Sequence, residues 1–163
     1  VLQRFARHYR TGDPLPEELV AGLAALRDHN IALKLLRQIY YGTLDLDMHT
    51  SGPTPDLDAI DRNAHRHTQF PLHEDTFLPA GFGHLMGGYD AGYYGYLWSM
   101  VFGDDMFSVF ENEGVLSPEV GRRYRNEVLA RGYSRDATEH LSAFLGREPN
   151  ADAFMTKIGL GSD

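Results

Sequence analysis

The residues best placed to do chemistry lie in one run, GFGHLMGGYDAGYYGYLWS over positions 81–99. A glycine-rich stretch holding His84 leads there into an aromatic stretch holding Tyr89, Tyr93 and Tyr96. If Asp90 caps a helix at this point, Tyr93 falls at its third position and Tyr96 one turn on. That i, i+3 spacing puts both phenols on one face, and Tyr89 leads into it. Hydroxyls beside a helix N-terminus are suited to donate to an anionic oxygen, because the dipole and the free N–H groups both favour negative charge there. Glycines at 81, 83, 87, 88 and 92 predict a mobile segment over 81–92. The same residues also fit a plainer reading, in which the tyrosines are core aromatics, the glycines a connector and His84 a loop residue bonded to backbone. Taken alone, the residues leave both readings open.

Other chemistries are narrowed by what is missing. With no cysteine there is no thiol nucleophile, no redox pair and no thiolate zinc site, so a metal would need His and carboxylate ligands. Asp58, Asp61 and His65 recur at helical spacing, but a solvated helix face is the expectation for them, and His65 and His67 point apart. His73-Glu74 opens like HExxH, yet the second His is replaced by Phe77. Neither a GxSxG elbow nor a GxxxxGK[ST] phosphate loop occurs.

The elements that must position these residues all read as helices. Leu19, Val20, Leu23 and Leu26 predict a helix over 16–30, opened by Pro14 and Pro16 with Glu17 and Glu18 in its first turn. A second period from Ile31 to Leu44 fades into the turn-rich stretch 48–55, and the two together predict an αα-hairpin. Asp56 is the expected cap of a helix to about residue 69, followed by a long irregular connection through Pro71 and Pro79. The apolar run 93–112 predicts a buried central helix. Ser117-Pro118 starts a helix to about 131, and two short helices follow over 134–145 and 150–158, stopped by Gly146 and Gly159. No period-2 strand appears, so the fold class is all-α, a single helical segment over 1–163.

Composition bounds the partners. A 163-residue chain with 42% hydrophobic and 23% charged residues fits one ordinary globular core and excludes disorder. Its 23 Asp+Glu against 15 Lys+Arg leave a net charge of −8, which repels phosphate backbones and argues against nucleic acid. No stretch approaches the roughly 20 apolar residues that span a bilayer, so no membrane association is expected. The cysteine-free composition points to the cytoplasm. The chain opens with Val1 inside an apparent helix, which predicts a piece of a longer polypeptide.

At this point a family resemblance emerges. The run Phe82-Gly83-His84-Leu85, Gly87-Gly88-Tyr89-Asp90-Ala91 and Tyr93-Tyr94-Gly95-Tyr96-Leu97-Trp98-Ser99 resembles the C-terminal signature of the thimet oligopeptidase-like zinc metallopeptidases. Phe5-Ala6-Arg7-His8-Tyr9 upstream and Phe144-Leu145-Gly146-Arg147-Glu148-Pro149-Asn150 downstream support it, so the resemblance covers nearly the whole chain.

The resemblance implies an almost wholly helical, two-lobed channel enzyme that cuts short peptides at a zinc ion. It implies that His84, Tyr93 and Tyr96 face the substrate, with Tyr96 and His84 donating to the oxyanion of the tetrahedral intermediate. It also implies that Tyr89, Gly87 and Gly88 contact the peptide and that the 81–92 segment closes over it. The family's zinc ligands, two His of HExxH and a later Glu, and its general-base Glu have no counterpart here. The expectation is therefore the C-terminal portion of such an enzyme, inactive alone and partnered by the missing N-terminal portion. Met100 and Tyr133 depart from the family's usual residues but lie outside the proposed site. The wording GGYDAGYYGY leans toward an endopeptidase over a peptidyl dipeptidase, and a non-catalytic peptide-binding module is the alternative.

Overall fold

The computed structural model describes residues 1–27 and 29–161. It consists of α1 (Leu2–Phe5), α2 (Glu17–Arg27), α3 (Ile31–Thr50), α4 (Leu57–His65) and α5 (Leu78–Gly81), then a 3-10 turn (Gly83–Met86) and α6 (Gly95–Glu113). α7 (Pro118–Tyr124) runs into a π-helical turn (Arg125–Leu129), and α8 (Ala137–Leu145) and α9 (Asp152–Lys157) complete the chain. Among the described residues there is no strand, only an isolated bridge between Arg7 and Pro14. The all-α expectation holds.

Local chemistry fixes several helix ends. Asp56 accepts from the Ala59 N–H at 3.0 Å, and Asp136 accepts from the Thr138 N–H at 2.8 Å. The second cap explains why α8 begins after Ser134. Gly146 closes α8 with a φ of +72°, a left-handed conformation that a side chain disfavours. α3 continues past Leu44 through a polar half. His49 Nδ1, Thr50 Oγ1 and Ser51 Oγ each contact the carbonyl four residues back, at 2.8, 2.8 and 2.5 Å.

Two cores form. In the first, Tyr40 and Leu44 of α3 meet Ile60 and Ala64 of α4, together with Phe82, Leu85 and Tyr93. In the second, Val109 of α6, Val120 of α7 and Phe144 of α8 pack with Met106, Phe110 and Tyr124 around them. Complete burial of Leu44 and Phe144 stabilises each core by about 2–3 kcal/mol per side chain. α6 connects the cores, contacting α3, α7, α8 and α9.

Three expectations are corrected. α2 buries none of its residues, and Leu19, Leu23 and Leu26 are exposed, so α2 and α3 do not form a packed hairpin. Asp28, within the predicted first helix, lies outside the described residues. α6 is not buried all round, since Trp98, Met100 and Phe107 stand exposed on it. Finally, Asp61 is not on a solvated face. It is buried against α3, where it accepts the Tyr40 hydroxyl proton. Its helical neighbour His65 stacks edge-on to Tyr40, 5.1 Å between ring centres.

Candidate active site

The glycine-rich run is an ordered sequence of short turns. Phe82 and Leu85 are buried and anchor it in the first core, while His84 between them stays exposed. Gly88 has a φ of +89°, and a Cβ added at Gly87 would lie 3.2 Å from the Gly83 carbonyl oxygen. Both positions thus favour glycine for backbone reasons.

The next helix starts at Gly95 and not at Asp90. Ala91 has a φ of +54°, which no α-helix accommodates. The Ala91 and Tyr93 N–H groups donate to the two carboxylate oxygens of Asp45 on α3, each at 2.9 Å, and the Gly92 N–H turns back to the Tyr89 carbonyl. Tyr93 therefore precedes α6 and Tyr96 is its second residue. The Gly95, Tyr96 and Leu97 N–H groups bond to carbonyls three residues back, at 3.0, 3.1 and 3.1 Å. The N–H groups of the first α6 residues are therefore already bonded, unlike the free ones that a helix start at Asp90 predicts.

The four predicted side chains converge. The His84 ring centre lies 5.2 Å from that of Tyr93 and 5.7 Å from those of both Tyr89 and Tyr96, each contact edge-on. Tyr89 and Tyr96 stack at 5.3 Å with planes 22° apart, and Tyr93 is 5.0 Å from Tyr96. Their exposure divides them. Tyr93 is only 7% exposed and donates its hydroxyl inward to Gln38 Oε1 at 3.2 Å, while Tyr89 and Tyr96 are exposed.

Two of the phenols, Tyr93 and Tyr96, are shifted upward. Hydrogen bonding with Tyr89, then desolvation and then the charges of Tyr89 and Tyr93, push the Tyr96 hydroxyl above the ordinary tyrosine value. Burial first, then Tyr41, raises Tyr93 against the opposing effects of Gln38 and Arg37.

Zinc, which the resemblance implies, finds no fitting donor set. Among the described residues no three His, Cys, Asp or Glu side chains could share a metal ion. The rings closest around His84 are Phe82, Tyr89, Tyr93 and Tyr96, none of which supplies a carboxylate or a second imidazole.

Two contributors escape a reading of local pattern, Gln38 and Asp45. The available signal is weak: Asp45 is a lone carboxylate between Leu44 and Leu46 in an apolar helical period.

Comparison with known proteins converges on one family. Residues 1–160 match Peptidase family M3. The chain is 39% identical over 164 residues to saccharolysin of Saccharomyces cerevisiae, which covers 98% of this chain and 23% of that protein. It is 36% identical over 159 residues to oligopeptidase A of Escherichia coli, covering 94% and 23% respectively. Dipeptidyl carboxypeptidase of Salmonella typhimurium is 30% identical over 166 residues, covering 98% and 24%. The chain spans about a quarter of the length of the curated relatives it matches. The match over residues 1–160, together with the named relatives, identifies the chain as a member of Peptidase family M3, the thimet oligopeptidase-like family.

Proposed function

We propose that this chain is the substrate-facing portion of a zinc-dependent oligopeptidase that hydrolyses short peptides in the cytoplasm. In this reading Tyr96 and His84 steady the oxyanion of the tetrahedral intermediate, and Tyr89, Tyr93, Gly87 and Gly88 line the path of the peptide. The zinc and the general base are then supplied by other parts of the protein, since among the described residues no three side chains form a metal set. The 163 residues alone are then inactive. Among the described residues no helix is long and apolar enough to cross a membrane.

The observation that carries the reading is the convergence of exposed His84, Tyr89 and Tyr96 on one glycine-bounded turn. A phenol is suited to the oxyanion because it donates a hydrogen bond that strengthens as negative charge develops on the oxygen. Having no charge of its own, it does not hold the ground-state peptide equally tightly. A phenol with the ordinary tyrosine value of about 10 is protonated at neutral pH, and the upward shift of Tyr96 leaves it so. Tyr89, stacked on Tyr96, limits the orientations its ring can take. The Gly87-Gly88 turn carries no side chain to obstruct an approaching peptide backbone.

The test is Tyr96→Phe in the intact protein, assayed on a quenched fluorescent peptide with and without a zinc chelator. We expect chelator-sensitive hydrolysis whose kcat falls about 100- to 1,000-fold in the variant. A fall smaller than about threefold overturns the assignment of Tyr96. The alternative is a peptide-binding module without catalysis, which the same exposed aromatic cluster would serve. Peptide binding by the intact protein without any hydrolysis decides for it.

A further inference from the structure

Asp45 is fully buried in the C-terminal half of α3, and its oxygens are divided with little redundancy. Oδ1 accepts from the Ala91 N–H at 2.9 Å and lies 3.0 Å from His49 Nδ1. Oδ2 accepts from the Tyr93 N–H at 2.9 Å. Two of its three partners thus belong to the five residues between Tyr89 and Gly95, although 46 and 48 positions separate them from Asp45 in sequence.

What those bonds hold is an unfavourable backbone state. Ala91 sits at a φ of +54°, where an L side chain crowds the following carbonyl. This strained residue lies between Tyr89 and Tyr93, so its torsion determines how the ring of Tyr89 is aimed relative to those of Tyr93 and Tyr96. α3 comes close enough to enforce it, since a Cβ on Gly42, one turn before Asp45, would lie 3.6 Å from the Tyr94 Cα. Relaxation of Ala91 to an ordinary φ would rotate Tyr89 away from its stack on Tyr96.

We propose that Asp45 is a positioning residue, which fixes the turn at Ala91 and so aims the Tyr96 hydroxyl, through its stack with Tyr89, at the reacting carbonyl. The inference rests on the reading of Tyr96 as oxyanion donor, and its test separates the two. In Asp45→Asn one carboxylate oxygen becomes an NH2 group, which opposes a backbone N–H donor with another donor.

In the intact protein we expect Asp45→Asn to lower kcat about 10- to 100-fold while KM stays within about threefold. The same change made in the Tyr96→Phe background is expected to lower kcat by less than about threefold, because the group it positions is already gone. An equal loss in both backgrounds, or no loss in kcat, overturns the positioning role. If Tyr96→Phe is itself without effect, the oxyanion reading falls and the positioning role with it.

Asp45→Asn disturbs a buried carboxylate, so a milder variant provides a second route. His49 is about one-third exposed, and His49→Ala removes the lateral contact to Oδ1 together with the ring's bond to the Asp45 carbonyl oxygen, while both bonds from Asp45 to the turn remain. It should lower kcat about three- to tenfold in the parent and leave it unchanged in the Tyr96→Phe background. Equal losses in the two backgrounds, or no loss in the parent, overturn the proposal whether or not Asp45→Asn folds.

Discussion

Arg147, in the turn after α8, forks onto both carboxylate oxygens of Asp105, which is wholly buried in α6. The Asn150 N–H adds a third bond to the same group at 2.9 Å. Burial alone would raise the Asp105 carboxyl, but the Arg147 hydrogen bonds, the Asn150 N–H and the guanidinium charge outweigh it and hold the group below the usual carboxylate range. Such a carboxylate adds stability above its unfolded value of about 3.9 and gives it up as pH falls through the folded value. Arg147→Met reverses the sign, because a buried carboxylate without its cation prefers the protonated form. We expect the variant to lose about 3 kcal/mol at neutral pH and to recover part of that loss on acidification. Urea denaturation at pH 7 and pH 4.5 checks this, and an identical deficit at both would contradict it.

The alkaline limb of activity should report the Tyr89 and Tyr96 pair. Hydrogen bonding with Tyr89 is the first of the influences that raise the Tyr96 phenol. If the protonated phenol is the donor, kcat is retained below its pKa and lost above it. Tyr89→Phe removes the largest raising influence, so the limb should move down toward the ordinary tyrosine value of about 10. A kcat profile extended into the alkaline range for the parent, Tyr89→Phe and Tyr96→Phe checks this. A limb that stays where it was in Tyr89→Phe, or one that persists unchanged in Tyr96→Phe, argues against the assignment.

Legibility in the sequence followed the range of each interaction. The caps at Asp56 and Ser117 and the stop at Gly146 were readable because each acts on backbone within three or four residues of itself. Spacing alone joins Tyr89, Tyr93 and Tyr96, on a helix start at Asp90 that the structure moves to Gly95, and His84 enters the group only through the family resemblance. The start of α6 was not readable, since the turn before it is bonded to Asp45, which lies 46 and 48 positions from the amides it binds. Nor was the inward turn of Tyr93, whose hydroxyl bonds to Gln38, 55 positions away. Helical periodicity identified an apolar stripe on α2 from Leu19 to Leu26, but a period says nothing of what covers the stripe. Asp61 looked solvated because its spacing to His65 is visible in sequence, whereas the Tyr40 hydroxyl that reaches it comes from another helix.

Tyr40 and Asp61 join α3 to α4 through a single buried hydrogen bond. Burial, then the bond to Asp61, pushes the Tyr40 phenol far above its ordinary value, so it stays a donor throughout the physiological range. Tyr40→Phe keeps the ring packing and removes only the donor, leaving a carboxylate that is 4% exposed without that partner. The expected cost is about 2 kcal/mol. Adding Asp61→Ala to Tyr40→Phe should restore part of it, because the uncompensated carboxylate goes with the side chain. Denaturation midpoints of the two single variants and the double variant give the coupling, and strict additivity would show that the bond contributes nothing net.

The two cores share no residue, and α6 is the element that contacts both α3 and α8. Phe144 is the centre of the second core, 1% exposed, with Tyr124 and Phe110 at 5.5 and 5.8 Å and the Arg123 guanidinium 5.3 Å from its ring centre. Phe144→Ala removes that packing and should destabilise by about 3–5 kcal/mol. The aromatic cluster around His84 rests on the first core through Phe82 and Tyr93 and has no ring in common with the second. A rigid α6 would still keep Tyr96 in register at temperatures where the variant is folded. We therefore expect kcat per folded molecule to change by less than about twofold, while the thermal midpoint falls by several degrees. A kcat that drops in step with stability would mean that α6 transmits the repacking of Phe144 to Tyr96, and that the site depends on both cores.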